Sequence, residues 1–182
     1  MRRTGDRFTA WRQKYVPDYL FLLTISFILG VLAGSGAYLL KSMIRWVSLP
    51  LLPYLRIDKP NFLLIIFPVI GILLCGAYQR YILHSCINHG VDRIRNIIHD
   101  SDYNLKPGLM YSSLLASSLT LGFGGSAGSE GPIAYTGAAI GSNIGKLFRL
   151  KPEYIMIMIA IGGGAGIAGI FKAPVGGALF TI

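Results

Sequence analysis

Between Pro107 and Gly145 the chain carries one charged residue, Glu130. An ionisable side chain in so apolar a stretch costs about 3 kcal/mol to place in lipid, so its presence calls for a reason. It stands in Gly128-Ser129-Glu130-Gly131-Pro132, where Gly131 and Pro132 suit the first turn of a helix that begins just beyond it. The unpaired N–H groups of a helix start carry partial positive charge and hold an anion without any cationic side chain. Gly128, Ser129 and Gly131 therefore mark a candidate anion site, and Glu130 is a carboxylate able to occupy the same donors. Ionised, it blocks the site; protonated, it leaves, so Glu130 reads as a gate. The structural alternative is a buried acid paired with a lysine elsewhere in the chain.

Such a site requires a helix that breaks inside the membrane, a recurrent device for ion binding in transporters. Gly122, Gly124, Gly125, Gly128 and Gly131, with Pro132, make one continuous helix costly and predict two pieces meeting near residues 122–131. Upstream, Leu20 to Leu40 is an uncharged run long enough to cross the hydrocarbon, and Lys41 and Arg45 are expected to end it. A linker with Pro50, Pro53 and Pro60 separates it from a second span at Asn61 to Leu83. The polar stretch from His84 to Lys106 has room for a short helix around Val91 to Ile98 but is not a full span. Downstream, Tyr154 to Phe171 is apolar and glycine-rich, and Val175 to Ile182 opens a further apolar segment. No polar tail or charge closes it, so the chain is expected to continue past Ile182, with half of the site in the continuation.

Composition agrees with a lipid environment. Hydrophobic residues make up 53% and charged residues 14%, mean hydropathy is +0.56, and the 23 glycines suit close helix contacts in a membrane. The net charge of +9 is not gathered into a stripe with interleaved aromatics, which argues against nucleic acid. Instead Arg2, Arg3, Arg7, Arg12 and Lys14 precede the first span, which places the N-terminus in the cytosol. Residues 1–19, with Phe8, Trp11, Tyr15 and Tyr19, read as an amphipathic segment on the inner leaflet, and residues 20–182 as the membrane domain. Cys75 and Cys86 read as free packing thiols.

Two motifs in order now carry a resemblance. Gly128-Ser129-Glu130-Gly131-Pro132 is similar to the G-(K/R)-E-G-P signature of the chloride channel (CLC) family, and Gly169-Ile170-Phe171-Lys172-Ala173-Pro174 resembles its G-x-F-x-x-P signature. Gly137 through Leu147, with Gly141, Asn143 and Gly145, resembles the family's helix after the gate. The resemblance implies an all-α, multi-pass membrane fold of two inverted repeats with broken and re-entrant helices, of which this chain supplies most of the first. It implies a homodimer with one pore per subunit that moves chloride or a similar anion, as a voltage-gated channel or a chloride/proton antiporter, in the cell membrane and without a cofactor. It places the gate at Glu130 and adds Phe171 to the anion-binding set. The family's G-S-G-I-P serine falls at Asn88-His89-Gly90-Val91-Asp92, so His89 and Gly90 stand where that anion ligand is expected. Ser129 replaces the basic residue that usually precedes the gate.

Two other classes are weighed against this one. Gly164-Ala165-Gly166-Ile167-Ala168-Gly169 spells G-x-G-x-x-G after Tyr154 to Ile161, a pattern that would suggest a dinucleotide enzyme if the first segment were a strand. Pro174 arrives where a binding helix should continue, and no acid follows, so these glycines are expected to serve helix packing and the protein not to be an enzyme. A non-conducting membrane scaffold is the other alternative.

Overall fold

The computed structural model describes residues 17–51, 53, 62–83, 105 and 108–181, and among them every regular element is helical. Helix α1 runs Asp18–Ser48 and α2 runs Leu63–Tyr78, continuing as a π-helical turn over Gln79–Leu83. Then come α3 (Gly108–Gly122), α4 (Glu130–Leu147), α5 (Pro152–Phe171) and α6 (Pro174–Phe180). Two of these, over Tyr19–Ser48 and Pro152–Phe171, are long and apolar enough to cross a membrane, and Ile65–Tyr81 is a shorter apolar helix. The segment before residue 17, the helix expected around residues 91–98, and His89, Gly90 and Cys86 lie outside the described residues.

The first span is longer than expected. Lys41 and Arg45 do not end it: α1 passes through both and stops only at Ser48, ahead of Pro50. At 1.5 Å per residue its 31 residues extend about 46 Å, more than a bilayer core, so the helix must tilt or protrude. Lys41 is tolerated because its ammonium donates to the carbonyl of Ile170 at 2.5 Å, in the last turn of α5. That carbonyl has no partner within its own helix and carries the negative end of the macrodipole. The lysine therefore meets a partner on another element without breaking its own.

Burial does not follow hydropathy. Helices α1 and α2 leave large apolar side chains such as Phe27, Val31, Tyr38, Ile65, Ile72 and Leu73 exposed. The glycine- and alanine-rich α4 is the interior element, buried without interruption from Pro132 to Ala139. It packs against α5 more extensively than any other pair of helices, around Tyr135, Ala138, Met158 and Ile159, with Ile25 and Leu29 of α1 completing the cluster. A second cluster joins Ala37, Leu40, Leu114, Ile133 and Ile170. Lipid can solvate leucine, so a membrane fold keeps small residues for helix contacts instead.

The α4–α5 pairing shows why. A Cβ on Gly137 would run into the carbonyl of Gly162, a Cβ on Gly162 into that of Gly137, and a Cβ on Gly141 into the carbonyl of Met158. The two backbones touch, and only glycine fits between them. Gly164 and Gly166 of the G-x-G-x-x-G stretch abut the carbonyls of Gly177 and Ile133 in the same way. Tyr154 to Ile161, which a dinucleotide fold would need as a strand, is helix. The glycines serve packing, as expected.

Candidate functional site at the break between α3 and α4

The expected break is present. Helix α3 ends at Gly122, Gly124 takes φ +85° in the turn that follows, and the chain is irregular until α4 begins at Glu130. The helix starts at the acid itself, slightly earlier than the sequence suggests, so Glu130 is its first residue, after Ser129, and Pro132 its third. This position exposes the backbone donors. The amide of Ile133 is bonded to the Ser129 carbonyl, Pro132 has no N–H, and the amides of Glu130 and Gly131 have no backbone partner among the described residues. No side-chain cap satisfies them either. Both point outward from the positive end of an 18-residue helix, where negative charge is stabilised.

Glu130 is exposed in this chain, and among the described residues no cation forms an ion pair with it. Its carboxylate folds back over the preceding turn, where a Cβ on Gly128 would collide with it. A side chain at Gly128 would therefore displace the carboxylate from this turn. Gly128, Ser129, Gly131 and Glu130 form one locus. Phe171 falls at the same end of the α4–α5 pair, because the antiparallel contacts that place Gly162 on Gly137 and Gly166 on Ile133 bring the last turn of α5 level with Ser129. It is exposed. His89 and Gly90 are not among the described residues.

Behind this locus lies a cleft of about 270 Å³, walled by Cys75 of α2, Ala116, Ser117, Thr120 and Leu121 of α3, Ala127 and Gly128 from the break, and Gly131 and Pro132 of α4. Sequence reasoning placed Cys75 in packing and did not single out Ser117 or Thr120. Their signal is faint: hydroxyls spaced along an apolar helix, whose direction depends on how α3 rotates against α4.

The family model described as voltage gated chloride channel matches residues 70–182, more than half of the chain. The chain belongs to the voltage-gated chloride channel family, whose members are integral membrane proteins that transport anions. Its fold is accordingly that of the amino-terminal part of a CLC-type helical membrane protein. An uncharacterised protein of Methanocaldococcus jannaschii is 29% identical over 86% of this chain and 36% of its own length. A chloride/fluoride channel protein of Pseudomonas syringae is 27% identical over 88% of this chain and 34% of its own. Among solved structures, a CLC-type fluoride/proton antiporter superposes with a TM-score of 0.73 at 26% identity, covering 90% of this chain and 40% of that one. A slow cyanobacterial Cl−/H+ antiporter gives 0.61 at 28% identity, over 86% and 37%. The chain thus spans about a third of the length of these two relatives.

Proposed function

We propose that the protein to which this chain belongs moves chloride or a related halide across the membrane, as a channel or as an anion/proton antiporter, with Glu130 as its gate. The observation that carries this reading is the placement of the acid. One carboxylate is set at the first residue of a helix whose free amides suit an anion, at a break between two helices in a chain of this family. The relatives named a chloride/fluoride channel and a fluoride/proton antiporter support the substrate class.

The mechanism is a competition. When ionised, the carboxylate draws on the positive end of α4 and denies it to a passing anion. Protonation removes that attraction, the side chain turns away, and the anion takes the amides of Glu130 and Gly131. Gly128, Ser129 and Gly131 form the backbone of this site, with Phe171, His89 and Gly90 as further lining. The functional unit is a homodimer in lipid, with the amphipathic segment over residues 1–19 and the N-terminus in the cytosol.

The test is chloride efflux from liposomes containing the full-length protein. Flux is expected to rise with acidity in the wild type, and Glu130→Gln, fixed in the uncharged form, is expected to abolish that dependence. PH-dependent flux that survives Glu130→Gln overturns the gate.

A further inference from the structure

The cleft behind the helix break has a composition that selects one occupant. Its walls are mainly apolar and among the described residues no charged side chain lines it, but Ser117 and Thr120 of α3 and the Cys75 thiol do. Most hydroxyls on α3 are spoken for. Ser112 donates to the carbonyl of Gly108, Ser118 to that of Leu115 and Thr120 to that of Ala116, the usual recourse of a hydroxyl in an apolar helix. Ser113 donates to the Pro132 carbonyl across the interface. Ser117 departs from the pattern: among the described residues its hydroxyl has no hydrogen-bond partner, and it faces the cleft. A half-buried hydroxyl on a largely apolar wall is left with hydrogen-bonding capacity to offer.

We propose that Ser117 and Thr120 receive the carboxyl group of Glu130 when it is protonated, so that the cleft is the resting place of the opened gate. This rests on the gating reading above. Three features support it. Gly128 and Gly131, the residues flanking the Ser129–Glu130 pair, form part of the cleft wall, and neither has a side chain to bar rotation of the acid across it. The volume of about 270 Å³ accommodates a carboxyl group with water beside it. The chemistry suits a neutral acid better than an ion: the Ser117 O–H donates to the acid's C=O, and the acid's O–H donates to the Thr120 oxygen, whose lone pairs stay available while its own proton is engaged. An ionised carboxylate or a halide would find one free hydroxyl and no cation in largely apolar surroundings, which disfavours charge.

The charged and titratable groups on the surrounding elements leave this balance to Glu130. Cys75 is the titratable side chain in the wall. Lys41 and Arg45 on α1, Arg80 after α2, Lys146 on α4 itself, and Glu153 and Lys172 at the ends of α5 line no part of it. Since the cleft offers partners to the protonated form alone, its hydroxyls make opening easier.

The experiment compares full-length wild type, Ser117→Ala and Ser117→Thr in liposomes, by chloride efflux across a range of pH. Ser117→Ala is expected to move the midpoint to lower pH by roughly 0.5 to 1 unit, the worth of one hydrogen bond at about 1.4 kcal/mol per unit. Ser117→Thr, which keeps the hydroxyl, is expected to hold it near the wild-type position. In a Glu130→Ala background, Ser117→Ala is expected to change nothing, because the group it receives is gone. A Ser117→Ala curve that superimposes on wild type, while Glu130→Gln still abolishes the pH dependence, overturns the docking role and leaves the gate intact. Equal slowing by Ser117→Ala with and without the Glu130 side chain also overturns it, by showing that the hydroxyl acts on the anion. Persistence of the pH dependence in Glu130→Gln removes the gate itself, and this role with it.

Discussion

At the scale of single residues, the chain depends on a few side chains whose partners lie far away in sequence. Lys41 reaches 129 positions to cap the carbonyl of Ile170. Lys41→Met is expected to leave that carbonyl without its donor and to cost about 1 to 2 kcal/mol, read as a lower thermal midpoint of the detergent-solubilised protein, with Lys41→Arg recovering part of the loss. Gly128 matters for a different reason, because any Cβ there meets the Glu130 carboxylate. Gly128→Ala is expected to push the acid off the helix start and, on the proposed gating role, to raise chloride flux at neutral pH. Flux and pH profile equal to wild type would show that the carboxylate does not rest on this turn. Lys172 takes φ +55° where α5 ends and α6 begins. A side chain in that conformation costs about 1 kcal/mol relative to glycine, so Lys172→Gly is expected to raise the thermal midpoint and Lys172→Val to lower it.

At the scale of elements, α4 and α5 act as one body. Their backbones meet at Gly137, Gly141 and Gly162, with no side chain between them to deform. Inserting atoms there forces the helices apart. Gly137→Val or Gly162→Val is expected to cost about 3 kcal/mol, seen as loss of the monodisperse peak in detergent gel filtration, whereas Gly30→Ala, which has open space around it, is expected to be silent. This rigidity suits the proposed site: a helix start can hold an anion only if its position is held, and α4 is buried from Pro132 onward while Glu130, its first residue, is exposed. Helix α3 sits on the other side of the break and supplies the hydroxyls.

For the whole molecule, lipid rather than water is the surrounding solvent, and the distribution of side chains follows from that. Large apolar residues face outward on α1 and α2 while glycine and alanine fill the interior, so the protein is expected to stay with the membrane fraction after alkaline carbonate washing and to need detergent for extraction. Much of this was legible in the sequence. The apolar runs, the glycine-rich break before Glu130 and the two motifs in order all depend on residue type and spacing, which chemistry alone constrains: an acid stranded among apolar residues, or a proline after several glycines, permits few structures. The ends of α1 could not be read in the same way, because whether Lys41 stops a helix or passes through it depends on a carbonyl of α5 that only folding brings near. Nor could the cleft be found, since the direction of Ser117 is set by how α3 turns against α4. Local sequence determined which segments are helices and where the charge sits; the packing of helices distant along the chain decided which hydroxyls and thiol line the cleft behind the break, because such contacts depend on the relative rotation of whole elements and leave no periodic trace in any one of them.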